Sequence, residues 1–333
     1  MPRHIPEAAS DRSFLDLVSY GRGALGHGRQ LMAAQVEQIA RTVRHTPEVM
    51  VKISGGGQTA KAVAAHFKYI GRQEFEIETD DGVRLTGKGA EKTLIGDWEL
   101  EIDAAESRSP YRGTSGRKPT KLVHNVVLSM PAGTPAVSVL AASRVFAREQ
   151  FALKHRYALV LHTDQPHPHV HLVVKVMSEQ GRRMNLRKET LREWRREFAR
   201  HLRSQGIAAN ATQRAIRGVT KLQKSDGIYR AMHAGRSSYV RRQAESVAAV
   251  LRAGNLEAEP GKAKILNTRR IVIGGWFNVR ERLRADGRAS LANEVERFAG
   301  GMPPPQTERE SLAQALKEIV SGQRGRSPLA FTR

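Results

Sequence analysis

The chain has no cysteine among its 333 residues, which excludes disulfides, thiolate metal sites and cysteine nucleophiles. Any metal must then be held by histidines and carboxylates. No run approaches the roughly 20 apolar residues that span a bilayer, and residues 1–30 hold no apolar core of the kind a secretory signal needs. The expectation is a soluble protein that does not leave by the general secretory route. Acidic residues are also scarce, with 33 Asp+Glu against 55 Lys+Arg and a formal charge of +22. Such an excess of cations suits a polyanionic partner, because each Lys or Arg placed on a phosphate releases condensed counterions. A protein that is merely basic, or bound to ribosomes, is the blander reading of the same charge.

Hydrophobic residues make up 40% of the chain and charged ones 26%, enough apolar material for a packed core. The length exceeds the roughly 100–200 residues of a single domain, and the pattern predicts three parts. Residues 1–45 are a helical lead-in, residues 46–220 are the main domain, and residues 221–333 are a basic, mainly helical region with a flexible tail. Within the main domain, EVMVKIS (48–54) is a strand ended by Gly55, Gly56 and Gly57, three residues free to take positive φ. A helix through QTAKAVAAHFKYIGR follows and stops at Gly71, and EFEIETDDGVRL is a hairpin about Asp80, Asp81 and Gly82. Residues 104–120 read as a mobile basic loop. Then come the apolar strand LVHNVVLSM (122–130), a helix over 135–155, and the strands YALVLH (157–162) and HVHLVVKVM (169–177). This order predicts an α+β fold: a two-layer sandwich with a mostly antiparallel central sheet flanked by helices, and a helical C-terminal appendage.

Charge is uneven. Residues 179–245 hold 17 Lys+Arg against 6 Asp+Glu, a net of +11 and half of the total. The helical run from Leu186 carries Trp194, Phe198 and Leu202 near one face and arginines around the rest. A solvated helix face explains such a run, and its sign bias also suits a surface that follows a phosphate backbone. On the second reading Arg187, Arg195 and Arg196, with Lys52, Arg72 and Lys121 from the preceding segments, are candidate DNA contacts.

The chemistry concentrates in HTDQPHPHVHLVV, residues 162–174. His169 and His171 alternate along a strand and so project from one face. His162 ends the preceding strand, and the turn through Asp164, Gln165 and Pro166 brings it back beside the pair. Three neutral imidazoles converging on one point make a facial metal site with open positions for water and phosphate oxygens. Asp164 is placed to orient one imidazole from behind. His167 falls in the turn as a supporting or phosphate-contacting residue, and His124, on the strand before, is a weaker candidate neighbour.

These residues resemble the HUH endonucleases, whose signature is His-hydrophobic-His, here His169-Val170-His171. The whole run is similar to the third motif of conjugative relaxases, in particular the P-type mobilisation class that includes the T-DNA border nickase. VMVKISGGG, the helix ending in HFKYIGR, and VHNVVLSMPAGTP look like that class's other blocks in the same order, over roughly residues 48–215. The resemblance implies that His162, His169 and His171 bind a divalent metal, Mg2+ or Mn2+, although three imidazoles alone would suit a softer ion better. It implies that Tyr69 is the nucleophile; Tyr20, in FLDLVSYGR, is the alternative, and Tyr157 reads as core. It further implies a metal-dependent nickase and strand transferase acting on single-stranded DNA at a transfer origin through a 5′-phosphotyrosyl intermediate. Relaxosome accessory proteins, a type IV coupling protein and secretion channel, and a bacterial cytoplasmic protein carried into the recipient with the strand come with that reading. A rolling-circle replication initiator of the same superfamily, and a non-catalytic DNA-binding protein with a structural metal, remain open at this point. The lead-in of about 45 residues departs from the class pattern.

Overall fold

A computed structural model describes residues 31–72, 75–108, 120–220, 231, 235–254 and 259–320. Tyr20, most of the basic loop and the C-terminal tail lie outside the described residues. In chain order the principal elements are α1 (Ala33–Val43), β1 (Met50–Gly55), α2 (Ala60–Ile70), β2 (Ile77–Thr79), β3 (Arg84–Leu85), α3 (Ala90–Asp97) and α4 (Leu100–Arg108). They continue with β4 (Val123–Ser129), α5 (Ala136–Phe151), β5 (Tyr157–His162), β6 (His169–Lys175) and α6 (Lys188–Ser204). After these come α7 (Ser238–Arg252), α8 (Pro260–Ala285), α9 (Ala289–Gly300) and α10 (Glu308–Val320). The chain divides into two compact units, one of His45–Ala211 and one of Met1–Arg44 with Thr212–Arg333.

In the His45–Ala211 unit the six strands form one sheet in the order β1-β4-β6-β5-β2-β3, every neighbouring pair antiparallel. The α+β class read from the sequence is what the chain adopts. The central strands are apolar on both sides, and both sides are covered, so the unit has helices on each face of the sheet where a two-layer sandwich would cover one. One face carries Leu159, Leu172 and Val174 against Phe146 and Phe151 of α5 and Trp194, Phe198 and Leu202 of α6. The last three stand at i, i+4 and i+8, the stripe that the arginine-rich run was expected to bury. The other face carries Ala158, Val160 and Val173 against Val63, Phe67 and Ile70 of α2 and against Leu94, Trp98 and Leu100 around α3 and α4. Helices α3 and α4 were not anticipated from the sequence, although Ala90, Leu94 and Trp98 recur at four-residue spacing.

Local rules set α2, which positions much of the site. Thr59 caps its N-terminus through a hydrogen bond from the Ala62 amide, 3.2 Å, and Gly71 ends it by donating its amide to the Phe67 carbonyl, 2.8 Å. The glycines before it serve close approach instead of positive φ. A Cβ at Gly56 would stand 2.3 Å from the Val123 carbonyl oxygen, and one at Gly57 would stand 2.4 Å from Val63 Cγ2. Gly82 does take positive φ, 85°, at the turn between β2 and β3.

In the other unit, Val36, Ile39 and Val43 of α1 share an apolar core with Val272, Trp276, Val279 and Leu283 of α8 and with Leu291, Val295 and Phe298 of α9. Arg44 pairs with Glu294 at 2.8 Å, and Trp276 Nε1 donates to the Ile216 carbonyl at 2.8 Å. Among the described residues no helix is long and apolar enough to cross a membrane.

Candidate metal and nuclease site

Antiparallel register assembles the histidines. His162, last in β5, lies directly opposite His169, first in β6, while His171 faces Val160. All three therefore leave the same face of the sheet, the face covered by α2. Their ring centroids are 5.2 Å apart for His162 and His169, 4.5 Å for His162 and His171, and 5.1 Å for His169 and His171. Imidazoles bound to one ion at about 2.1 Å have centroids roughly 4.6 Å apart at right angles and roughly 5.3 Å apart at the tetrahedral angle. The observed spacings fall at that range, and one donor nitrogen from each ring lies within 4.8 Å of the others.

Two of the rings have their tautomer fixed by a backbone carbonyl. His162 Nε2 is 2.7 Å from the Ile70 carbonyl oxygen and donates to it, which leaves Nδ1 unprotonated, buried and without a partner. His169 Nδ1 is 3.0 Å from the His167 carbonyl and donates to it, which leaves Nε2 as its lone pair. This is the arrangement that aims histidines at a metal. His167 thus contributes its carbonyl to the cluster. Burial, followed by repulsion from the neighbouring rings, lowers the pKa of His171 to about 3, and burial is the largest cause of the lowering at His162 too. Both are neutral near pH 7, the form that coordinates metals.

Helix α2 delivers its C-terminal turn to the same place. Tyr69 is 58% exposed, the only large side chain of that turn open to solvent among Phe67, Tyr69 and Ile70. The Arg72 guanidinium lies 4.5 Å above the Tyr69 ring centroid and donates to the Tyr69 carbonyl at 3.1 Å. Asp164 fixes that guanidinium at 2.7 Å. Partial desolvation raises the Asp164 pKa, but the Arg72 hydrogen bond and charge outweigh it and the net shift is downward. Asp164 Oδ1 is 4.0 Å from His162 Nδ1, beyond hydrogen-bond reach. It holds Arg72, and the imidazole is held by Ile70.

The expected DNA contacts scatter. Lys52 is exposed on β1 and faces Val127, which in turn faces His171, so it shares the histidine face two strands away, about 10 Å at ordinary strand spacing. Arg72 is part of the site. Lys121 precedes Val123, which pairs with Lys175 at the far end of the strand pair from His169. Arg187 is exposed just before α6, Arg195 donates to the Val51 carbonyl at 3.2 Å, and Arg196 pairs with Glu193 on its own helix. His124 faces Val174, a residue of the opposite face, and so leaves the sheet away from the cluster. Missed from the sequence was His66 of α2, whose ring centroid is 6.5 Å from that of Tyr69 and 6.2 Å from that of His171. It stands one turn before Tyr69, a spacing that gave the only available signal. A second group, Glu149, Glu197 and His201, is already internally paired: Arg200 reaches both carboxylates at 2.6 Å and His201 contacts Glu149 at 3.0 Å.

The buried histidines make the fold acid-sensitive. His171 and His124 titrate near 6.5 when unfolded and at about 3 and about 4 when folded, in both cases mainly through burial. Between those values the unfolded chain binds more protons, so stability rises with pH and is lost as pH falls below about 6.5. We expect the urea midpoint of metal-free protein to fall steadily from pH 7 to pH 5. Each group adds at most about 1.4 kcal/mol per pH unit, and less after solvent screening. His124→Gln should flatten the slope; a midpoint independent of pH over this range would refute the account.

Residues 86–207 match the relaxase family, MobA/VirD2-like, nuclease domain. The T-DNA border endonuclease VirD2 of Agrobacterium fabrum is 26% identical over 214 residues, 58% of this chain and 46% of that protein. The VirD2 of Rhizobium radiobacter is 32% identical over 114 residues, 30% of this chain and 26% of its own length. The chain thus spans less than half the length of these relatives. The MobM relaxase domain, solved with Mn and bound to plasmid pMV158 oriT DNA, is 13% identical over 56% of this chain and 98% of its own, with a TM-score of 0.36. The matched segment contains His162, His169 and His171 and begins after Tyr69. Over residues 86–207 the chain is therefore similar to the nuclease domain of MobA/VirD2-like relaxases.

Proposed function

We propose that the chain is a metal-dependent, strand-specific DNA nickase and strand transferase that opens a transfer origin for conjugation. The observation that carries the reading is the three-imidazole cluster beside the exposed Tyr69, with two tautomers set by backbone carbonyls, in a chain whose histidine segment matches relaxase nucleases. The donor set fits a divalent ion: His162 Nδ1 and His169 Nε2 are unprotonated, and His171 completes the face. When bound, Mg2+ or Mn2+ would supply Lewis-acid polarisation of the scissile phosphate's non-bridging oxygens.

The protein's own part is nucleophile and charge. A tyrosine phenol is a weak nucleophile at neutral pH, and the Arg72 guanidinium, fixed by Asp164, stands over the Tyr69 ring to stabilise charge that develops on it. Attack of the Tyr69 oxygen on phosphorus displaces the 3′ oxygen, leaving a 5′-phosphotyrosyl strand and a free 3′-OH that can reverse the reaction. Retaining the phosphodiester energy in this way suits strand transfer, whereas hydrolysis would lose it. Lys52 and the arginines around α6 would contact phosphates of the single strand. Accessory relaxosome proteins and a type IV coupling protein follow as partners, with a cytoplasmic protein that travels with the strand.

The test uses labelled single-stranded oligonucleotides that tile the DNA flanking the gene, incubated with full-length protein and Mn2+. An SDS-resistant adduct on one strand, lost with EDTA, is expected. Protein that binds these oligonucleotides yet never forms the adduct would overturn the enzymatic reading.

A further inference from the structure

Resting on the reading that the three histidines hold a divalent ion, we propose that His66 is a positioning residue for His171: its Nε2 accepts a hydrogen bond from His171 Nδ1–H. Each of the other two rings donates its spare N–H to a carbonyl, His162 to Ile70 and His169 to His167. His171 has no such carbonyl. Its Nδ1 is buried with no hydrogen-bond partner, and so is His66 Nε2. Buried polar atoms of native proteins are nearly always paired, and these two belong to neighbouring rings, edge to face at 71° with centroids 6.2 Å apart. A direct N–H···N bond, with the two nitrogens turned towards each other, needs the centroids at about 5.2 Å, about 1 Å closer than they stand.

The pairing assigns His171 the Nδ1–H tautomer and leaves Nε2 for the metal. It also ties the metal site to α2 one turn before Tyr69, so that the ring next to the nucleophile and the ring on the ion are held by one contact. Partners of this kind typically contribute 10- to 100-fold to metal affinity.

Titration of the metal-free full chain with MnCl2 by calorimetry tests the assignment. His66→Phe keeps the ring and removes the acceptor, and should weaken Mn2+ binding about 10- to 100-fold. His66→Gln, whose Oε1 accepts, should stay within about threefold of the original protein. Unchanged affinity in His66→Phe, or a His66→Gln variant as weak as His66→Phe, would overturn the proposal. Long-range 1H–15N spectra of the unaltered protein give a measure that needs no variant: His171 should be protonated at Nδ1, and an Nε2–H tautomer refutes the contact. His169→Ala serves as the control, because undiminished Mn2+ binding there would overturn the metal site itself and, with it, the positioning role of His66.

Discussion

Tyr69→Phe should abolish the covalent adduct while leaving single-strand binding within about twofold. Removing a nucleophile takes away the covalent route, and losses of at least about 10³-fold are usual. The Tyr69 side chain is 58% exposed and its ring is not among the buried core residues, so loss of its hydroxyl should not disturb α2. Its neighbours make the result specific. Phe67 and Ile70 are fully buried, which fixes the helix, and Arg72 is fixed by Asp164 at 2.7 Å with or without the phenol oxygen. Gel analysis of labelled oligonucleotide with Mn2+ reads the adduct directly. Tyr20 is the competing nucleophile, and the pair of variants decides between them: an adduct that survives Tyr69→Phe and vanishes in Tyr20→Phe moves the chemistry to the N-terminal segment.

The sheet was legible because its central strands are short apolar runs with clear boundaries. Tyr157–His162 begins and ends where the apolar run YALVLH predicts, and the Gly-rich break after β1 marks a real strand end. The histidine cluster was legible for the same reason, since side chains two apart on a strand must share a face. What escaped were features fixed by tertiary contact. Helices α3 and α4 exist to cover a second apolar face, and their own amphipathic signal is weak beside the burial of Trp98 and Leu100. The grouping of α1 with α8 and α9 joins segments more than 200 residues apart in sequence, which local pattern cannot show. Asp164 was expected behind an imidazole because it lies in the turn beside His162; Arg72, brought in by α2, outcompetes the imidazole for its carboxylate. His66 was overlooked because its one-turn spacing from Tyr69 gains chemical meaning only when the helix is laid across the sheet and brings it to His171.

His162→Ala and His169→Ala should lose metal equally and stability unequally. Each removes one of three imidazole donors, and Mn2+ affinity should fall at least about 100-fold, more than the loss of a supporting partner. Cleavage should fall with it. Their surroundings differ, however. His162 is fully buried, stacked on Phe75 with centroids 4.6 Å apart and bonded to the Ile70 carbonyl at 2.7 Å. Its truncation leaves a cavity and strips that carbonyl of its donor, at a cost of roughly 2–4 kcal/mol. His169 is only half-buried, and its one backbone partner, the His167 carbonyl, belongs to a surface turn. His169→Ala should therefore unfold within about 1 kcal/mol of the original protein. Urea denaturation in EDTA measures stability and calorimetric titration with MnCl2 measures the site. If His169→Ala kept its metal affinity, the three imidazoles would not be a metal centre. If instead its affinity fell only in step with its stability, the histidines would be structural, and the metal-dependent chemistry would have to reside elsewhere in the chain.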